Sequence, residues 1–489
     1  MAFLDRYGDK ESKFSRWKLS ELVSWNERNL LPTYQNQDIE NYCTFHGALD
    51  VLSWFAPDVA TLVHGSAGCV TSFSSSRAYP NCHEFRPKPY STAMNSTDIV
   101  YGAEKKLSDS LVEVDRRHHP KVIVVMTNCC SYIIGENRSD AVKKVADKVK
   151  ADILELEIGG CSGHGFRKGA DLAFDLLFNY VAKKVTSPIP PPEPSINLFT
   201  KRVSGRPAEN QDVREMSRLL EKIGVRLNTV LRMGASLDDL YRIPNATANM
   251  AFCFTLGHAP LVRLNKLFGQ PYAPSTFPMG LRGTLRWVDS VAKLVGVKNT
   301  LHDDAEVEKY RAKVEELKVR LAGREAYIWQ PGDKGLATAL FAEDLGLKPY
   351  LFNMSYYLQK KLRKTVDYVL ENGHDFTAIL SGKQEVLLKA REKRHAERPL
   401  LFMPKKFWLG ELPTVTFNFF VDPVLGFKGI DFLLREVEYA LAHAGQKDYR
   451  LFNRYIETRF HAVDWKIDGP PMRGIDPDDP KWQREVARL

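Results

Sequence analysis

Six of the seven cysteines in this 489-residue chain fall within its first 161 residues: Cys43, Cys69, Cys82, Cys129, Cys130 and Cys161. The seventh is Cys253. Thiolates are soft ligands suited to iron–sulfur clusters, zinc and copper. No Cys-x-x-Cys pair is present, which leaves a self-contained zinc knuckle or a thioredoxin-type motif without support. The low, odd number also argues against a disulfide scaffold. Three positions stand out by their settings. Cys129 follows the β-branched run Lys121–Met126 in the turn Thr127-Asn-Cys-Cys-Ser-Tyr-Ile-Ile-Gly135. Cys69 closes the glycine-bearing turn His64-Gly-Ser-Ala-Gly-Cys69, and Cys43 lies at the mouth of an expected helix, His46–Phe55. Three thiols on three loops of one α/β unit are either packed structural cysteines or part of a shared cluster. An iron–sulfur cluster takes four thiolates. Three fall short, so a cluster at this place needs ligands from another subunit.

The elements that would hold these thiols read as alternating strands and helices. Lys121–Met126 is a continuous apolar run of the kind buried on both faces of a parallel sheet. Expected helices flank it at Ala103–Arg117 and Arg138–Lys150, with a second strand at Ile153–Ile158. The segment Thr186–Ser195 holds five prolines in ten residues and marks a boundary. A second block follows with strands at Arg226–Leu231 and Asn249–Phe254 and a charged helix at Asp304–Leu321. A third has strands at Glu325–Trp329, Pro349–Phe352, Ala378–Ser381, Leu400–Met403 and Thr414–Phe419, with helices at Gly335–Asp344 and Ser355–Glu371. The expected organisation is a wrapping segment at 1–40, α/β domains at 41–195, 196–323 and 324–445, and a docking tail at 446–489. In doubly wound folds ligands bind outside the carboxyl ends of the strands. Cys129, Cys69 and Cys253 all fall at such ends.

Composition narrows the function classes. With 44% hydrophobic and 26% charged residues the chain is of ordinary globular type. The net charge of +9 has no dense basic run behind it, so nucleic acid is not an expected partner. No apolar stretch is long enough to span a bilayer, and Met1–Asn26 does not resemble a signal peptide, so a cytoplasmic location is expected. No phosphate-cradling Walker A pattern is present. ATP hydrolysis would belong to a separate protein.

The block Cys43–Leu107, with HGSAGC at His64–Cys69, Arg77, and STAMNSTDIVYGAEKKL at Ser91–Leu107, resembles component 1 of the nitrogenase superfamily. Cys129 followed by IIGEN matches the family's third cluster cysteine. The resemblance implies three doubly wound Rossmann-like α/β domains with parallel sheets around a central cofactor cleft. It also implies an α2β2 heterotetramer with a K-like partner. Cys43, Cys69 and Cys129 would be this chain's share of an interfacial P-cluster-like iron–sulfur cluster. An ATP-dependent iron–sulfur reductase homodimer would supply electrons by transient docking.

Superfamily subunits are D-type, which can hold a catalytic cofactor, or K-type, which do not. Cys253, followed by a helix leading to Phe268-Gly-Gln-Pro271, resembles the D-type cofactor cysteine, as do the Cys43–Cys69 interval and the GAEKKL text. HGSAGC and Phe277-Pro-Met-Gly280 are closer to K-type text. A D-like subunit is expected, with Cys253 as ligand of a second, complex iron–sulfur cofactor of unknown heterometal. The departures are as informative. The turn Gly426-Phe-Lys-Gly429 matches the one preceded in nitrogenase by a ligating histidine, yet Phe417–Leu425 contains none. In Gly160–Gly169 a polar wall has become partly apolar and cationic, which points to Phe166, Arg167 and His164 together with Arg77 as pocket residues. His64 reads as a turn-stabilising hydrogen-bonder. Dinitrogen is therefore not the expected substrate. The nitrogenase-like methylthio-alkane reductases, which cleave carbon–sulfur bonds and release methanethiol, are the nearest resemblance. Dark-operative (proto)chlorophyllide-type reductases, alternative nitrogenases and non-catalytic cofactor-assembly scaffolds are the alternatives.

Overall fold

A computed structural model describes residues 16–28, 43–56, 58–76, 89–162, 165–189, 192–200, 207–330, 332–352, 363–379, 390–394, 397–403, 412–417, 419 and 422–444. In chain order its strands are β1 (Arg16–Lys18), β2 (Val59–His64), β3 (Tyr90–Ser91), β4 (Val122–Thr127), β5 (Asp152–Leu156), β6 (Ser195–Phe199) and β7 (Arg226–Leu231). They continue as β8 (Ala248–Ala251), β9 (Glu325–Ile328), β10 (Lys348–Phe352), β11 (Thr377–Ile379), β12 (Leu400–Met403) and β13 (Thr414–Thr416). These form three sheets, ordered β3-β2-β4-β5, β7-β6-β8 and β1-β11-β10-β9-β12-β13. Every pairing among them is parallel except that of β1, which runs antiparallel to β11 with Arg16 opposite Ile379. The architecture is α/β with parallel sheets, as the alternation of elements requires.

In the first sheet, β2 and β4 are buried along their whole length. Side chains alternate between two cores. Val122, Val124 and Met126 point into one, while Ile123 and Val125 point into the other. A strand buried on both faces must be apolar at every position, which explains the unbroken β-branched text. Two helices on the first face, Thr44–Leu52 and Phe166–Lys184, cross backbone against backbone. A Cβ at position 47 would lie 1.7 Å from the Phe166 carbonyl oxygen, and one at 169 would lie 1.8 Å from that of Thr44. Only glycine fits at either point. The crossing brings Cys43, at the start of one helix, into an antiparallel bridge with Gly165, at the start of the other. It therefore holds Gly165 and Phe166 against the start of the helix that Cys43 precedes.

Several expected elements end earlier than their text suggests. The expected Asn249–Phe254 strand stops at Ala251, and Cys253 turns the chain as the residue preceding the helix Phe254–Phe268. The expected Arg138–Lys150 helix is regular only to Lys143. Beyond it, bonds from Val145, Ala146 and Lys148 reach back three residues, and the tightened chain presents the Lys150 and Ala151 amides to the buried Asp115 carboxylate. The segment expected to wrap the surface contributes β1 and the helix Leu19–Glu27, fixed by Ser20 donating to Asp375 at 2.6 Å. The tail at 446–489 lies outside the described residues.

Candidate metal centre

Cys69 and Cys129 come together because their strands are neighbours in register. His64, the last residue of β2, pairs with Thr127, the last of β4, so both cysteine-bearing turns leave the same sheet edge side by side. Asn128 locks them. It caps the helix Cys129–Ile134 with its own side chain and reaches across to the Ser66 carbonyl and hydroxyl at 3.2 Å each. Gly65 permits this, since a Cβ there would overlap the Asn128 amide at 2.1 Å. Ser131 closes the turn by donating to the His64 carbonyl. Cys43 arrives by the helix crossing, with its sulfur 3.2 Å from His46 Nδ1.

The sulfurs share one neighbourhood. A Cβ built on Gly160 would lie 3.0 Å from Cys43 Sγ and 3.1 Å from Cys129 Sγ, so that loop rests directly on both. Cys69 feels the charges of Cys129, Cys43 and Cys130. Its thiol is pushed above the ordinary range, first by burial and next by those neighbouring sulfurs. Burial and neighbouring sulfurs both favour the protonated thiol at Cys69, so binding of a metal group here would have to displace that proton. Among the described residues no three His, Cys, Asp or Glu side chains converge on a point suited to a single ion. An all-sulfur donor set spread over three loops fits an iron–sulfur cluster. The helices Ser96–Tyr101 and Cys129–Ile134 pack beside this centre and leave Ile99, Val100, Tyr101, Tyr132, Ile133 and Ile134 exposed.

His64 acts as a structural post. It is fully buried, with Nε2 2.6 Å from Glu136 Oε2 and Nδ1 3.2 Å from Thr92 Oγ1. Glu136 in turn accepts from the Ala103 amide, and Asn95 and Asp98 cap the helix before it reciprocally. The Ser91–Leu107 segment is thus tied to the cysteine turns by one buried network. Burial holds the His64 imidazole below its ordinary value of 6.5 despite the Glu136 carboxylate. The unfolded chain therefore takes up the proton first as pH falls. Stability contributed by neutral His64 is complete above 6.5 and is lost as pH drops through the window between that value and the depressed one. Unfolding melts of the iron-free chain should show falling stability from pH 7 to about pH 5.5, and His64→Gln should flatten that slope. An unchanged slope in the variant would assign the proton uptake elsewhere.

Cys253 lies in the second unit, buried at 8% exposure in the large core shared with the third sheet. Its thiol donates to Asp333 Oδ2 at 3.6 Å. Asp333 also accepts from the amide and hydroxyl of Thr255, and so satisfies the first turn of the Phe254–Phe268 helix from across the interface. Burial, with Asp333 second, pushes the Cys253 thiol up to about 12, while Lys334 and Arg167 pull against it. Arg167 donates to the Thr255 carbonyl from the start of its own helix. Phe166 lines a small adjoining cleft of about 30 Å³, open to solvent, with Trp54, Leu256, Gly257 and the acidic Asp50. The structure thus brings Phe166 and Arg167 to the helix that Cys253 begins. Arg77, His164 and Cys82 lie outside the described residues. From the histidine-free stretch, Phe417 and Phe419 pack ring against ring at 5.5 Å, and Phe419 meets Phe277 at 4.8 Å. Lys334 lies 5.9 Å over the Phe419 ring, so this stretch reaches the residue next to Asp333. Burial and Asp333 both favour the protonated thiol at Cys253, so a metal group held there would require it to lose that proton. Asp333 and Thr255 were not singled out from the sequence; the signal was a carboxylate a few residues past the end of a strand.

The description of the nitrogenase component 1 type oxidoreductases matches residues 43–441, and the chain belongs to that family. It is 24% identical over 435 residues to the nitrogenase molybdenum-iron protein alpha chain of Methanothermococcus thermolithotrophicus, covering 85% of this chain and 90% of that one. It is also 24% identical over 323 residues to the nitrogenase iron-molybdenum cofactor biosynthesis protein NifE of a Nostoc species, covering 63% of each. In fold it resembles the solved structure of nitrogenase Cp1 at pH 6.5, with a TM-score of 0.62, 16% identity, and coverage of 82% and 92%. The resemblance read from the cysteine motifs is therefore the correct one.

Proposed function

We propose that this chain is the D-like catalytic subunit of a nitrogenase-like two-component reductase that cleaves the carbon–sulfur bond of methylthio-alkanes. The observation that carries this reading is Cys253, a buried thiol beside Arg167 and a phenylalanine-lined cleft, in a chain whose Phe417–Leu425 stretch holds no histidine. A complex iron–sulfur cofactor bound there would supply the multi-electron chemistry. Cys43, Cys69 and Cys129, with a K-like partner's cysteines, would hold the P-cluster-like group that feeds it. The exposed apolar residues of the two helices beside these cysteines support coverage by protein at that face. Electrons would come from an ATP-dependent iron–sulfur reductase through a modest, transient interface. Among the described residues no helix is long and apolar enough to cross a membrane.

The reaction balances as R–S–CH3 plus two electrons and two protons giving R–H and CH3SH. A thioether sulfur is a soft donor. The roles given to the chain's own residues follow from their placement. Arg167 sets a positive charge near an anionic group, Phe166 gives the cleft an apolar wall, and Arg77 and His164 are the further pocket residues proposed from sequence. The match to NifE favours a second reading, a scaffold that holds a cofactor in transit. Complex purified without oxygen, with reductase and ATP, should release methanethiol from a simple methylthio-alkane, and omission of ATP should stop it. No turnover, with transfer of iron to an acceptor protein instead, would establish the scaffold.

A further inference from the structure

The sulfur of Cys43 has a nitrogen partner that ligation alone does not explain. Cys43 is the N-cap of the helix Thr44–Leu52, and His46 is the third residue of that helix. A cap side chain ordinarily accepts from the amides of the first turn. Cys43 makes no such bond, and its sulfur lies 3.2 Å from His46 Nδ1 instead. The ring is wedged in this orientation. It stands edge-on to Phe45 at 5.6 Å between ring centres and lies 6.0 Å from Phe73, both of them buried. Its Nε2 is shielded from solvent. The helix start is fixed as well. The Gly47 amide donates to the Cys43 carbonyl at 3.2 Å, and the missing Cβ of Gly47 leaves room for the Phe166 carbonyl.

When Cys43 is a thiol, either partner can donate in this contact. A thiolate bound to iron has no proton left and can only accept. The imidazole must then donate through Nδ1–H, so a loaded site selects that tautomer. Hydrogen bonds to the sulfurs are among the means by which a protein sets a cluster's reduction potential. A donor draws electron density from the sulfur and so favours the more negative, reduced state. Away from solvent such a bond is electrostatically stronger than in water.

We propose that His46 is a positioning residue of the interfacial cluster: its Nδ1–H bond to Cys43 Sγ orients that ligand and makes the cluster easier to reduce. This rests on the reading of Cys43, Cys69 and Cys129 as cluster ligands, and leaves that ligand set unchanged. In the step it serves, one electron passes from the iron–sulfur reductase to the cluster. No bond forms or breaks at His46, and the proton stays on Nδ1.

The test uses the intact complex, purified without oxygen, as wild type, His46→Phe, His46→Asn and Cys43→Ala. The Phe variant keeps an aromatic ring without a donor, and the Asn variant offers a side-chain amide close to the Nδ1 position. Iron content is measured, and the cluster is titrated with dithionite at controlled potential and followed by paramagnetic resonance. His46→Phe should keep wild-type iron. At the wild-type midpoint its ratio of reduced to oxidised cluster should fall about tenfold, a shift of about 59 mV for one electron. His46→Asn should recover most of that shift. Electron–nuclear double resonance should show an exchangeable proton coupled to the wild-type cluster and absent from the Phe variant. An unchanged or raised midpoint in His46→Phe overturns the proposal, and so does a midpoint that stays low in His46→Asn, which would assign the effect to packing. Should His46→Phe lose its iron, the coupled proton decides: its presence in both wild type and His46→Asn supports the donor, and its absence from wild type overturns it. Full iron in Cys43→Ala would instead remove the ligand reading on which the proposal rests.

Discussion

Replacing Cys253 by alanine should reduce turnover to background and remove the spectroscopic signal of the catalytic cofactor while the interfacial cluster keeps its iron. The structure gives reasons for each half. Cys253 is the buried thiol at the start of the Phe254–Phe268 helix, and the described part of the stretch where nitrogenases place a histidine contributes packed phenylalanine rings. Loss of this sulfur would leave the cofactor without its one thiolate there. The fold should survive. Asp333 keeps both hydrogen bonds from Thr255, and alanine removes only a weak donor from its surroundings. Melting of the variant near the wild-type temperature, together with lost cofactor signal, is the expected pair of results. Full turnover in the variant would make Cys253 an ordinary core residue.

The second large effect is expected for Cys129→Ala, which should empty the interfacial cluster and so cut electron delivery to any site beyond it. Iron should fall in the variant complex, and reductase with ATP should no longer drive turnover. The turn itself does not depend on the sulfur. Asn128 and Ser131 cap the Cys129–Ile134 helix, and the Asn128 amide ties it to Ser66. The loss is therefore of a ligand and not of the scaffold. A variant retaining full iron content would show that the thiols gathered here pack without binding metal.

How much of this was readable beforehand depends on the range of the interaction involved. The strand β4 was legible because burial on both faces demands apolar residues at every position, and β7 and β12 were read with their observed limits for similar local reasons. The cysteine turns were legible because glycine, asparagine and a strand end occur together in a few residues. The gathering of Cys43 with Cys129 was expected only through the family resemblance and not from local text, since it depends on Gly47 and Gly169 allowing two helices to touch across more than a hundred residues of chain. The same holds for Asp333, whose partners Cys253 and Thr255 lie in another block of sequence. The early end of β8 was missed because Phe252 and Cys253 are apolar enough to continue a strand. What stops it is the turn into a helix whose first amides are satisfied by Asp333.

The central claim is that this chain serves two separate iron–sulfur groups, one at the Cys43, Cys69 and Cys129 turns and one at Cys253. Anomalous diffraction at the iron edge, from crystals of the complex grown without oxygen, tests it most directly. The account predicts two distinct peaks for each copy of the chain, the first against the cysteines at the ends of β2 and β4 and the second against Cys253 Sγ. A peak at the first position with none at Cys253 would contradict it and make this chain a K-like or cofactor-free subunit.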